Sequence, residues 1–169
     1  MKSISCVASF AARDRFVLAP LQAARAEAAL VLLSDGVHAI GGVDSSQACL
    51  ASSERFDGQA WSPAAGISRP RRGHTATLLG GAALLLGGRD GALSVDEVEQ
   101  YPAVGTASIS SSSRLSEGRA YHQATRVGDL IYVTGGFDPQ DNLLASVEVY
   151  APQGQTVPGA GASRGTPVS

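Results

Sequence analysis

The chain has 169 residues, a net charge of −2 and only 17% charged side chains. That is the length of one domain, and it offers no strongly basic face for nucleic acid or an acidic membrane. Aromatic residues make up 5% while glycine occurs 20 times, so the core rests on Leu, Val, Ile and Ala, and tightly turned β-structure is favoured over long helices.

Three Gly-Gly pairs, Gly41-Gly42, Gly87-Gly88 and Gly135-Gly136, set a register of 46 and 48 residues. Upstream of each pair stand Arg25, Arg71 and Arg119. Three residues after the arginine come Ala28, His74 and His122. Two short apolar runs follow in each unit: Ala28–Leu33 and Val37–Ile40, His74–Leu79 and Ala83–Leu86, His122–Val127 and Ile131–Thr134. Asp35-Gly36, Gly80-Gly81 and Gly128-Asp129 lie between the runs and supply tight hairpin turns. The wholly apolar Leu84-Leu85-Leu86 implies a strand buried on both faces. Leu21–Leu33 is Ala-rich, but its register with the other units makes it strand, not helix.

Two residues past each pair is an aspartate: Asp44, Asp90 and Asp138. Each is expected to cap the polar loop that begins there. A third strand then carries Glu54-x-Phe56, Glu99-x-Tyr101 and Glu148-x-Tyr150. A fourth is marked by Trp61 and by Ile109 within the polar run Ser108–Ser113. In the last unit it is reduced to Thr156-Val157. Four short strands per unit is the pattern of a β-propeller blade. The fold class is therefore all-β, with about three and a half blades of four antiparallel strands in an open arc or fragment. Residues 1–21 hold the third and fourth strands of a preceding blade (Ile4–Phe10 and Phe16–Leu21). Residues 22–68, 69–116 and 117–157 are blades 1, 2 and 3, and 158–169 are a disordered tail.

Arg-x-x-His-x-Ala, an apolar run, Gly-Gly, then Glu-x-aromatic and a following Trp resembles the kelch repeat, from Arg25 to about Val157. Ala28 for His, Ile109 for Trp and the eroded last strand depart from it. The resemblance implies propellers of about six or seven blades that mostly bind proteins, and this chain holds too few blades to close a ring. Three readings follow: a piece of a longer propeller, a chain that self-associates through its open blade faces, or an open arc.

The recurring residues read as architecture. Arg71 and Arg119 are expected to pair with Glu54, Glu99 and Glu148 within or between blades, as is Arg25. His74 and His122 are expected to bond neighbouring backbone groups, and His38 to be packed inside its strand. Arg69-Pro70-Arg71-Arg72 reads as a solvated inter-blade turn, and Asp96, Glu97 and Glu99 as a small acidic patch. Recognition belongs to the loops that differ between units, Val43–Ser53, Arg89–Val98 and Phe137–Val147. Their candidate binding residues are Asp44, Gln47, Arg89, Asp90, Phe137, Asp138, Asp141 and Asn142.

The expected function is a protein-binding module with no cofactor, metal or catalytic residue. The alternatives are a sugar-processing propeller enzyme of oxidase or epimerase type, and a truncated remnant without independent function. Against the enzyme, Tyr101 and Tyr150 are repeat-column residues, and no Ser-His-Asp arrangement or phosphate-cradling loop has sequence support. Cys6 and Cys49 read as free thiols. Met1–Phe10 lacks the apolar core of a secretory signal, and Ala26–Leu33 is too short to span a bilayer. A soluble, cytoplasmic protein is expected by default, with a protein partner and no nucleic acid or membrane.

Overall fold

Hairpins open each unit where the glycine turns place them. β1 (Ala29–Leu33) and β2 (Gly36–Ile40) pair antiparallel, and β3 (Ser53–Phe56) and β4 (Trp61–Ala64) complete a four-stranded sheet in sequence order. The second unit repeats this with β5 (Thr75–Leu79), β6 (Ala82–Leu86), β9 (Glu97–Tyr101) and β10 (Ile109–Arg114). A small hairpin, β7 (Arg89–Asp90) and β8 (Leu93–Ser94), sits in the loop after its Gly-Gly. The third sheet has β11 (Gln123–Val127), β12 (Leu130–Thr134) and β13 (Val147–Tyr150). This computed structural model describes residues 17–91, 93–101, 109–151 and 157. Ile4–Phe10, Cys6, Phe16, Thr156 and the whole of 158–169 lie outside them.

The fourth strand expected at Ile109 forms: β10 pairs with β9 through Ile109↔Gln100 and Ser110↔Glu99, then shifts register before Arg114↔Glu97. One expectation about edges changes. The fourth strand expected over Phe16–Leu21 is not formed in its described part. Residues 17–21 make no ladder, and the chain beyond them is bound instead as a connector, with the Gln22 and Ala23 amides donating to Glu54.

Blades stack through alternating faces. Ala83 and Leu85 of β6 point to blade 1 and join Val31, Leu33, Ile40, Ile67 and Tyr101 in one buried cluster. Leu84 and Leu86 point to blade 3 and join Val98, Leu115, Ile131 and Val133 in a second. Each core thus lies between sheets. A polar thread crosses the first: His38 Nδ1 is 3.2 Å from the Tyr101 hydroxyl, which is 2.8 Å from Ser53 Oγ. His38 Nε2 meets Asp35 at 3.0 Å.

The Gly-Gly pairs are the joints between blades. The Gly42 amide donates to the Arg71 carbonyl at 2.9 Å, and the Gly88 amide to the Arg119 carbonyl at 2.8 Å. A side chain at Gly41 would put Cβ 2.7 Å from the Arg71 carbonyl oxygen and 2.9 Å from the His74 ring, and one at Gly87 would collide with the Arg119 carbonyl. Both glycines have positive φ, so the positions exclude other residues twice over.

The same arginines hold their own blades. Arg71 is fully buried. Its guanidinium donates to the Gly87 carbonyl at 3.0 Å and to Glu99 at 3.1 Å. Arg25 does likewise with the Gly41 carbonyl (2.9 Å) and Glu54 (2.8 Å), and Arg119 with the Gly135 carbonyl (2.9 Å) and Glu148. The glutamates also accept connector amides, from Gln22, Ser68 and Ser116. The basic cluster is therefore no solvated turn. Arg71 is drawn inside by its carboxylate partner, and Arg69 pairs with Asp90 and Glu97. The acidic patch dissolves for the same reason: Glu99 is buried on Arg71, and Asp96 pairs with Arg114 at 2.5 Å.

Two outcomes follow for urea unfolding. Gly87→Ala should cost more than about 3 kcal/mol, because steric collision adds to the left-handed backbone. Gly80→Ala has the same φ sign and nothing within 4 Å of the new Cβ, so it should cost only about 1–2 kcal/mol. Glu99→Ala removes the buried partner of Arg71 and the acceptor of the Ser68 amide, leaving Glu97 at 3.3 Å as the remaining carboxylate, and should cost roughly 3 kcal/mol. Glu148→Ala should cost a similar amount, since Arg119 is equally buried and has no second carboxylate partner among the described residues.

Candidate binding face

Strand polarity brings the three loops after Gly-Gly and the three connectors entering each blade to one end of the arc. Short bridges fix them to each other: Ala26 with Val43, Arg72 with Arg89, and Ala120 with Phe137.

In two of these loops the aspartate organises the turn. Asp44 Oδ1 accepts the Ser46 and Ala48 amides at 2.8 and 3.0 Å, and Asp138 Oδ1 accepts those of Gln140 and Asn142, both at 2.8 Å. The bond from the Ser46 hydroxyl, then the amides, hold the Asp44 carboxyl below its ordinary range, and the Asn142 side chain does so first for Asp138. Gln47 and Asp141 take left-handed backbone at matching positions, with φ of 66° and 64°. Asp90 makes no such turn. Its loop is one residue shorter, which folds it into the β7–β8 hairpin and leaves its side chain to Arg69.

Loops are then tied across blades. Arg89 of blade 2 pairs with Asp141 of blade 3. Cys49 of blade 1 has a free thiol, which accepts the Gly91 amide at 3.4 Å and donates to the Arg89 carbonyl at 3.6 Å. Arg72 reaches Gln47 at 3.4 Å and Glu27 at 3.7 Å. The candidate residues Asp44, Asp138 and Asn142 are thus committed within their own loops. Gln47, Arg89 and Asp141 join neighbouring blades, and Phe137 stands edge-on to Tyr121.

Sequence reasoning missed Glu27 and Tyr121. With Gly73 they occupy one repeat column, and all three have left-handed backbone, with φ near 60°. The connectors run hand to hand there: the Gly73 amide donates to the Glu27 carbonyl at 3.1 Å, and the Tyr121 amide to the Gly73 carbonyl at 2.7 Å. Tyr121 lies across Gly73, and its hydroxyl donates to the Glu27 carboxylate at 2.8 Å. These residues, with His74, Thr75, His122 and Gln123, line an open groove of about 400 Å³. Partial burial, and then the Glu27 carboxylate, push the Tyr121 hydroxyl up. It is a neutral donor, not a ready phenolate. The signal available in sequence was Gly73, whose glycine marks the backbone the column requires.

His74 does not bond backbone as expected: neither of its ring nitrogens has a hydrogen-bond partner, while His122 Nε2 meets the Thr75 hydroxyl of the preceding blade at 3.0 Å. Burial, then the Arg71 charge, push His74 down to about 3. Burial and Arg119 push His122 to about 4. Both are neutral spacers against the preceding glycines. Among the described residues, no three His, Cys, Asp or Glu side chains converge to hold a metal ion, and no helix is long and apolar enough to cross a membrane.

This is the inter-blade architecture of a β-propeller, presented as an arc. Residues 118–156, in the third unit, match the family model of the kelch motif. Among solved structures the chain resembles one titled "Structure of YjhT", with a TM-score of 0.65 and 17% identity. The match covers 77% of this chain and 43% of that one, so the likeness is one of fold and spans less than half of the neighbour. No curated protein sequence matches the chain.

The histidines set a pH dependence. Their folded pKa values lie below the ordinary 6.5, so the unfolded chain takes up protons first as pH falls. Stability should be flat from pH 6.5 to about 9, below the tyrosine range. Below it, each histidine should remove up to about 1.4 kcal/mol per pH unit until its folded pKa is reached. Glu54, whose carboxyl is also held low, adds its loss only below its unfolded value near 4.5. Thermal melts between pH 7 and 4.5 should therefore fall for the wild type and fall less for His74→Leu. Equal slopes would refute the assignment.

Proposed function

We propose that this kelch-repeat module binds another protein through the end of the arc that carries the three dissimilar loops and the Glu27–Gly73–Tyr121 line. The observation that carries the reading is the cross-blade tethering of those loops. Arg89–Asp141, Arg72–Glu27 and Tyr121–Glu27 hold unlike side chains from three blades in one fixed surface. A preordered surface loses little entropy on binding. Apolar anchors stand among the polar groups: Leu143 is 78% exposed, Leu93 65% and Tyr121 39%. Apolar and aromatic side chains rimmed by charge are the composition of a protein contact site. The neutral, hydrogen-bonding state of Tyr121 favours recognition over nucleophilic chemistry at this groove.

The immobilised chain should enrich a partner from lysate of its own source cells, quantified by mass spectrometry. Tyr121→Ala and Leu143→Ser should each lower that enrichment about tenfold or more, the loss of one anchor residue. Gln59→Arg lies in the β3–β4 turn at the opposite end of the blade and should leave it intact. Enrichment that survives the first two substitutions, or is lost equally with the third, would sink the reading.

A further inference from the structure

The groove between Glu27 and Tyr121 carries one charge. Of the residues that line it, only Glu27 is formally charged, and His74 and His122 are neutral. Glu27 Oε2 accepts the Tyr121 hydroxyl at 2.8 Å, and its other oxygen, Oε1, has no hydrogen-bond partner among the described residues. Arg72 meets the bonded Oε2 through Nε at 3.7 Å, turns a terminal nitrogen to Gln47, and stands outside the groove wall. Tyr121 lies across Gly73 and stays 39% exposed, so aromatic surface is open beside the free carboxylate oxygen. Behind it His74 is 5% exposed with neither ring nitrogen bonded, which leaves a buried acceptor unmet in the same wall. The excess of negative charge extends over this end of the arc. Arg69, Arg72 and Arg89 are already paired, with Asp90 and Glu97, with Glu27 and with Asp141. The carboxylates of Asp44 and Asp138 are bonded only within their own loops. Carboxylates therefore outnumber guanidiniums there.

We propose that this groove seats a basic side chain, lysine or arginine, of the partner protein, with its cation against the open oxygen of Glu27 and the ring of Tyr121. The inference rests on the protein-binding reading above and names what that site takes. A cation gains twice in this position, from the carboxylate and from the aromatic ring. The other kinds of side chain do worse. An acidic one faces the Glu27 charge and the surplus carboxylates around it. An aliphatic one takes water from Glu27 Oε1 and offers no donor in its place. The same surplus attracts a basic partner before contact, because fields of one sign over a surface steer the approach of the opposite sign.

Random peptides displayed on phage and selected on the immobilised chain are the probe. Those whose binding is lost with Tyr121→Ala should share a lysine or arginine. Replacing that residue by alanine in the synthetic peptide should weaken binding about tenfold, measured by fluorescence anisotropy. Glu27→Gln should do the same to the parent peptide, although it keeps the size of the side chain and an acceptor for the Tyr121 hydroxyl. The two losses should not add: the alanine peptide should bind wild type and Glu27→Gln alike. Sodium chloride should weaken the parent peptide more steeply than the alanine peptide. Tyr121-dependent peptides with no basic residue overturn the inference and leave the protein-binding reading in place. So does a parent peptide that binds Glu27→Gln as tightly as wild type, or a Glu27→Gln loss that is equal for both peptides. A selection that yields no Tyr121-dependent peptide overturns both.

Discussion

The close approach of Gly41-Gly42 and of Gly87-Gly88 to the connector of the next blade is the constraint on which the rest depends. Two backbone strands can come within hydrogen-bond distance there only because neither glycine carries a side chain. The arginine at the joint then does two things at once. Its carbonyl reaches back to the preceding blade, and its guanidinium reaches forward to the glycine carbonyl and glutamate of its own. Order within a blade and order between blades are therefore set by one residue, and the columns of Gly, Arg and Glu recur together because none of them functions without the other two.

A buried ion pair is weak evidence for stability, since desolvation offsets much of its attraction. Here the carboxylate is more than a counterion. Glu99 takes the Ser68 amide and hydroxyl as well as Arg71, so the connector's donors are satisfied as the charge is. The apolar cores can then be thin. Between blades 1 and 2 much of the packing is Val, Leu and Ala around one Tyr, a composition that fits the low aromatic content of the chain. Frame and cores leave the loops to be ordered by their own turns and by ties to neighbouring loops, and those loops are where the units differ.

Most of the frame was legible because its columns are written in residue types. The first two strands of every unit fall within one residue of the apolar runs, and Arg, Glu and Gly meet where their shared register brings them. What was not legible depends on backbone or on loop length. Asp90 occupies the same column as Asp44 and Asp138, but a single missing residue turns its loop into a hairpin. Arg71 looked solvated because Arg69 and Arg72 flank it, although its column had already assigned it to Glu99. Glu27, Gly73 and Tyr121 share no chemistry at all. They share a left-handed backbone, which the sequence expresses only at Gly73.

That column shows how a repeated frame acquires an unrepeated surface. The backbone conformation is common to three blades, so any side chain placed there is presented in the same direction at successive steps. One blade presents a carboxylate, the next nothing, the third a phenol. The gap is a requirement of the pair: a Cβ on Gly73 would lie 2.7 Å from the Tyr121 ring, and with it in place the phenol could not cross to Glu27. Tyr121 therefore spans two repeats only because the residue between them is glycine. Three unlike residues act as one unit, and individuality arises at the point where the column stops repeating in side chain while still repeating in backbone. The groove beside them inherits both properties, a wall fixed by the frame and a floor that no other step of the arc reproduces.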